Sequence, residues 1–479
     1  MKITFLVPPP LDGKKVADRV AGCAYGLYPM PNVFELTAAA VAEREGHIVK
    51  YMDFPIHRWS PDRFEDFLAN DRSDVYLLYT VNLTGETDRI AAEKIRIVRG
   101  DEPTIIFYGP APTYEPENFL ADENMFVIRG EPESTLAELL RALDKESGKT
   151  AIDGISYRED GKIEHAHPRA LIDDLDSLPF PARHLLDRSL YYNPKLGVRP
   201  FTTAYGSRNC PHKCLYCVPC SLSFARELEY RRYNDGRKPP IRLRSAENII
   251  EEFRLLKTDG YRSATFLDDQ FLWDENRTMQ ICEGIRDTGI IWGCASRADR
   301  ITERVARAMA AAGCRFIDIG VESFDQRILD YIRKDLKVDE IERAIRAVRQ
   351  AGISAKVNIL LGCSPLETKE TIAHNLRQIA RLGVDQVMFN ISNPFPGTEF
   401  YEIAKKEGWL VHGNYVPSDV QKEAIINLPH LSAEQLVREV RRANLAFFLN
   451  PRFILKNITR FRSPAEWRDA MRSLKRKLF

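Results

Sequence analysis

No run of about 18 apolar residues occurs in the 479-residue chain, so no segment is built to span a bilayer as a helix. Neither sign of charge prevails. The 69 Lys+Arg and 68 Asp+Glu leave a net charge of +1, and bulk charge therefore argues for no polyionic partner. Low-complexity tracts are missing, as are repeats longer than a strand–helix unit, which sets aside disordered arrays and repeat architectures. The N-terminus lacks a signal-peptide pattern: Met1–Val7 is a short strand followed by prolines. Nine cysteines, an odd number, with no export signal predict a reducing, cytoplasmic setting and not a disulfide scaffold. What is present is 44% hydrophobic residues over a length that suits two or three domains.

Six of the cysteines (Cys23, Cys220, Cys282, Cys294, Cys314 and Cys363) are scattered and read as small buried apolar residues. The other three fall within Cys210-Pro211-His212-Lys213-Cys214-Leu215-Tyr216-Cys217. A short loop with that spacing can wrap three sulfurs onto three irons of one cluster, and thiolates are the soft ligands such clusters take. Spacing alone leaves zinc open, with Cys220 or His212 as a fourth ligand and a regulatory or interaction protein as the outcome. The C-x3-C-x2-C loop, with Tyr216 before its last cysteine and the apolar strand Phe201–Tyr205 ahead of it, resembles the radical S-adenosylmethionine (SAM) enzymes. That resemblance implies a [4Fe-4S] cluster on Cys210, Cys214 and Cys217. The fourth iron would bind the amino and carboxylate groups of SAM, whose reductive cleavage gives a 5′-deoxyadenosyl radical.

Residues 1–145 alternate apolar strands (Ile3–Val7, Ile48–Asp53, Val75–Thr80, Thr104–Tyr108, Phe126–Arg129) with helical patterns such as Asn32–Glu45. The alternation predicts an α/β fold: a doubly wound, Rossmann-like parallel sheet with ligands beyond the strands' carboxyl ends. This half resembles the cobalamin-binding domain of one large radical SAM branch, through Pro29-Met30-Pro31, the Gly109 loop and Arg129-Gly130-Glu131. The likeness makes Thr84, Gly109, Gly130 and Glu131 candidate cofactor contacts. Many cobalamin proteins carry Asp-x-His-x-x-Gly, whose histidine ligates cobalt. Here Asp53-Phe54-Pro55-Ile56-His57 departs from it, which predicts base-off cobalamin with His57 as a surface residue.

Residues 146–195 read as a linker with a hairpin turned at Asp160-Gly161. Arg183 and His184 take packing roles in it. Residues 196–410 alternate again and predict a partial (β/α)6 barrel, with functional groups at the strands' carboxyl ends. In radical SAM terms those ends offer Asp269 for the ammonium, Arg297 for the carboxylate, and Glu322 with Ser323 for the ribose, while Gly320 allows close approach. For three of them there is a plainer reading: a helix cap for one of Asp268 and Asp269, an ion pair with Asp299 for Arg297, and a cap for Ser323. The run Asn393-Pro394-Phe395-Pro396-Gly397-Thr398 is similar to the branch of anaerobic magnesium-protoporphyrin ester cyclases and hopanoid-pathway enzymes.

Residues 411–479 predict a helical region opened by Ser432-Ala433-Glu434-Gln435. From Pro451 nine Lys/Arg and two acids alternate with aromatics. This tail suits either an anionic membrane surface or a docked helix with solvated bases, and it carries no nucleic-acid motif. The expected function is methyl transfer to an unactivated carbon of a small or lipid-like substrate. The alternative is radical cyclisation, ring contraction or C–C bond formation. Flavodoxin or ferredoxin is the expected type of electron donor.

Overall fold

Strands apolar on both faces build the first sheet, because alternate residues point to opposite sides and helices cover both. In the computed structural model, which describes residues 1–21, 28–145, 151–411 and 422–451, these strands are β1 (Lys2–Val7), β3 (Val75–Tyr79), β4 (Thr104–Tyr108) and β5 (Met125–Ile128), with β2 (Ile48–Asp53) as a partly exposed edge strand. One face packs Ile3, Phe5, Leu77, Tyr79 and Ile106 against alanines of the helix Val33–Arg44. The other packs Leu6, Tyr76, Leu78, Ile105 and Phe107 against the helices Pro61–Asn70 and Gly85–Arg99. The helix Val33–Arg44 begins where expected, with Asn32 Oδ1 accepting from Phe34 N at 3.1 Å.

The strand order is β2-β1-β3-β4-β5-β6-β7, and β1 to β5 are parallel. The chain steps one way from β1 to β2 and the other way to β3, so a topological switch point falls between β1 and β3. The hairpin read as part of a linker is instead β6 (Ile155–Glu159) and β7 (Lys162–His165), antiparallel strands of this same sheet. Without β6, the edge of β5 would present a row of unpaired N–H and C=O groups. Arg183 is a packing residue: its Nε donates to Thr202 Oγ1 at 3.0 Å, and its fork also meets Glu252.

The six strands of the expected partial barrel are present: β8 (Phe201–Ala204), β11 (Ser263–Phe266), β12 (Ile291–Ser296), β13 (Cys314–Glu322), β14 (Ser354–Leu361) and β15 (Gln386–Ile391). Between them, β9 (Ser207–Arg208) and β10 (Arg242–Leu243) form a short antiparallel pair. The chain contacts define two compact units, and the division falls inside the cysteine loop. The first holds Met1–Pro211, Val218–Phe271 and Thr288–Ile290; the second holds His212–Cys217, Leu272–Asp287 and the chain from Ile291 onward. Parallel strands β8 and β11 therefore group with the first unit. The second contains β12 to β15, parallel and in the order β15-β14-β13-β12. Its C-terminal helix Ala433–Phe448 opens with the expected capping box of Ser432 and Gln435. Among the described residues no helix is long and apolar enough to cross a membrane. The basic tail, residues 452–479, lies outside them.

Gly109, after β4, shows why one loop needs glycine. Its φ is +107°, and a Cβ there would sit 2.6 Å from the Thr80 carbonyl oxygen. Gly109→Ala is expected to cost about 3 kcal/mol through forbidden backbone geometry and overlap with fixed backbone. A denaturation midpoint unchanged from wild type would contradict that.

Candidate active site

In the first unit a cavity of about 620 Å³ opens at the carboxyl edge of the sheet. Val7 at the end of β1 and Pro8 after it, Asp53 at the end of β2, and Leu83 and Thr84 after β3 line it, so it occupies the switch point. Its wall is polar at depth. Arg19 makes a fork on Asp88, at 2.8 and 2.7 Å, and Asp88 also accepts from Thr84 Oγ1 at 2.9 Å. Thr84 thus lines the cavity with its hydroxyl already engaged. Glu35 is 1% exposed and accepts from Tyr51 OH at 2.8 Å. Burial, only partly offset by Arg19, lifts its carboxyl to about 8, and burial lifts Asp53 to about 6. His57 is an exposed residue, as expected, with its ring stacked on Trp59 at 4.2 Å. Sequence reading missed Arg19, Glu35 and Tyr51, because they match no motif and meet only through the fold.

Gly109, Gly130 and Glu131 do not line this cavity. Gly130 N donates to Thr113 Oγ1 at 3.1 Å. Glu131, expected as a cofactor contact, spends its carboxylate within the protein. Oε1 faces Arg226 Nε at 2.9 Å and pairs with Arg208; Oε2 accepts from Arg242 Nη1 and from Ile172 N, both at 2.9 Å. Burial alone would raise this carboxyl, but Arg226, Arg208 and Arg242 hold it well below the carboxylate range. The two neighbouring aspartates after β11 also separate. Asp268 accepts from Gly206 N and Ser207 Oγ and shapes the turn before the cysteines. Asp269 Oδ1 accepts from Cys220 N at 2.6 Å, whereas its Oδ2 is buried without a hydrogen-bond partner.

In the second unit the middle of the cysteine loop is held by backbone bonds. Leu215 N donates to Ile332 O at 3.0 Å, Phe400 N to Leu215 O at 3.2 Å, and Cys217 N to Cys214 O at 3.2 Å. Tyr216 joins a buried group there. Lys334 Nζ donates to Glu322 Oε1 at 2.9 Å and to the Tyr216 hydroxyl at 3.2 Å. Lys334 has no sequence signature and was not anticipated. Gly320 makes room for it, since a Cβ there would lie 3.0 Å from Lys334 Nζ. Arg297 pairs with Asp299 at 3.1 Å and donates to Asp335 O at 2.9 Å, and its Nη1 is buried without a partner. Ser323 Oγ accepts from Asp325 N at 3.1 Å and donates to Asn375 Oδ1 at 3.4 Å, but it does not cap the helix Gln326–Tyr331 as its plainer reading had it: Asp325 does, accepting from Arg327 N at 3.0 Å. His212 has a buried, unpartnered Nε2; burial, followed by Arg297, lowers its imidazole to about 4, so it is neutral.

Three soft sulfur donors in one loop are the ligand type that iron–sulfur clusters take. Cys210, Cys214 and Cys217 are half-buried and form no disulfide. Cys220, the fourth thiol nearby, donates to Ser223 Oγ at 3.3 Å, and burial pushes it far up. Among the described residues no three His, Cys, Asp or Glu side chains are gathered tightly enough for a single metal ion.

A three-cysteine loop follows a parallel strand in an α/β chain with a switch-point cavity, and comparison with known proteins gives the class of the domain that holds it. Residues 205–364 match the radical SAM superfamily. The chain carries a radical SAM domain and, with it, the enzymatic character expected from the loop. It is 29% identical over 470 residues to an uncharacterized methyltransferase of Pyrococcus horikoshii, covering 96% of this chain and 95% of that one. It is 29% identical over 312 residues to the anaerobic magnesium-protoporphyrin IX monomethyl ester cyclase of Synechocystis, covering 63% and 58%. Its fold matches the radical SAM methyltransferase TsrM of Kitasatospora setae, solved with cobalamin and a [4Fe-4S] cluster, with a TM-score of 0.69 over 94% of this chain and 89% of that one. At 16% identity that likeness is one of fold.

The protonated Glu35 has a pH signature. The folded state keeps a proton up to about 8, whereas an unfolded carboxyl releases it near 4.5. The raised acid therefore favours the folded state below 4.5, and that contribution declines as pH climbs to about 8. The stability advantage of wild type over Glu35→Gln is expected to shrink across this window in denaturant titrations at stepped pH. An advantage that grows with pH would refute the assignment.

Proposed function

We propose that this chain is a cobalamin-dependent radical SAM enzyme that opens an unactivated C–H bond of a small-molecule substrate and methylates the carbon. The observation that carries the reading is the Cys210–Cys217 thiolate loop within the matched radical SAM domain. When bound, a reduced iron–sulfur cluster supplies the electron that splits the sulfonium of SAM, and cobalamin supplies a transferable methyl group. Cys210, Cys214 and Cys217 would hold the cluster. Arg297 would direct its unpartnered Nη1 to the SAM carboxylate, and Asp269 its unpartnered Oδ2 to the ammonium. Glu322 and Ser323 would receive the ribose, and Lys334 holds Glu322 in place. The cavity bounded by Thr84, Glu35 and Asp53 would take cobalamin, with the Gly109 loop shaping the edge of the first sheet. No group in the Asp53–His57 turn is assigned as a cobalt ligand. A flavodoxin or ferredoxin would deliver the electron. Contact of residues 451–479 with a membrane belongs to a lipid-like substrate.

Methyl transfer is favoured over ring closure because the methyltransferase likeness spans nearly the whole chain and the cyclase likeness about three-fifths of it. Anaerobic purification with added cobalamin, followed by assay of iron, acid-labile sulfide, corrin and SAM products, tests this. S-adenosylhomocysteine alongside 5′-deoxyadenosine is the expected outcome; 5′-deoxyadenosine alone would point to cyclisation. Cys214→Ala should lose the cluster and all SAM cleavage. Wild-type protein with neither iron nor sulfide would end the proposal.

A further inference from the structure

The Arg129-Gly130-Glu131 segment lies far in sequence from Cys210, yet the buried partners of Glu131 run to Asn209, the residue before it. Glu131 gathers Arg226 and Arg242, and both guanidiniums donate to the same atom, Asn209 Oδ1, at 3.1 and 3.0 Å. Asn209 is 2% exposed and immediately precedes Cys210. Its backbone is left-handed, with φ +68°. Its own groups are also tied: N donates to Ser223 Oγ at 3.2 Å and Nδ2 to Ser223 O at 3.4 Å. Arg208, on the other side, is clamped by Glu131 and Glu133. Thus both residues before Cys210 take their direction from carboxylates at the end of β5 and the start of the next helix. All of these residues belong to the first compact unit.

We propose that Glu131 is a positioning residue for the cluster: acting through Arg226 and Arg242 on Asn209, it sets the backbone from which Cys210 offers its thiolate. The inference rests on the reading of Cys210 as a cluster ligand. A fork of two guanidiniums on one amide oxygen holds a left-handed residue that would otherwise have a choice of backbone wells. Groups behind a metal ligand orient it, and their loss weakens metal retention while the ligand itself is intact.

The test uses full-length protein reconstituted anaerobically with iron and sulfide. Asn209→Gly keeps the left-handed backbone without strain and removes only the amide; Asn209→Asp restores an acceptor oxygen; Glu131→Gln removes the charge that gathers the guanidiniums. Iron release to a chelator, the electron paramagnetic resonance spectrum of the reduced cluster, and thermal melting are measured on each. Asn209→Gly and Glu131→Gln are expected to lose iron about 10-fold faster than wild type. The spectrum should be altered in both, and Asn209→Asp should return both readouts toward wild type. Should Glu131→Gln fail to fold, Asn209→Gly decides. Wild-type iron release and an unchanged spectrum in Asn209→Gly overturn the inference and leave the cluster assignment standing. A wild-type protein that binds no iron overturns the cluster assignment itself.

Discussion

Ionised groups removed from water must be matched, and in the first unit Arg129, Arg208, Arg226 and Arg242 are matched by Glu131, Glu133 and Glu229. Removing one partner of such a buried pair leaves an uncompensated charge at a cost of about 3–5 kcal/mol. The network therefore permits few arrangements of the segments that carry it. These are the end of β5, the β9 and β10 pair, and the helix Ser221–Tyr233. Arg226 records the tension: burial draws its guanidinium down to about 10, against the pull of Glu131. Asn209 and Cys210, which follow Arg208, depart from a point this network holds.

The two compact units use polar burial differently. In the first, the cavity wall mixes a matched fork, Arg19 with Asp88, and an uncharged acid, Glu35, supported by Tyr51. Such a wall presents both donor and acceptor groups. In the second, buried lysines are shared: Lys334 spans the Tyr216 hydroxyl and Glu322, and Lys356 spans Asp318 and Asn358. Burial would lower Lys334, but Glu322 reverses the shift, so the ammonium persists. A charged pair beside the aromatic of the cysteine loop ties that loop to the end of β13.

Glycines at the strand ends are expected to let a ligand come close. Gly109 instead yields to the backbone of Thr80, and Gly320 to the ammonium of Lys334. In both cases the close approach is real and comes from the protein itself. The same holds for Glu131 and Ser323, polar groups at strand ends whose hydrogen bonds are made internally. Arg297 and Asp269 differ, since each keeps one buried atom without a partner.

Strand–helix alternation, the helix start at Asn32, the capping box at Ser432 and the thiolate loop were legible along the chain, because each depends on residues within a few positions of one another. Periodicity and local hydrogen bonding act at that range. The joining of β6 and β7 to the first sheet, the pairing of Lys334 with Glu322, the cavity at the switch point and the convergence of Glu131 on Asn209 were not. Each joins groups whose sequence separation carries no signal. Only folding removes water from between them, and it is that loss of water which makes their charges and unpaired edges choose one another.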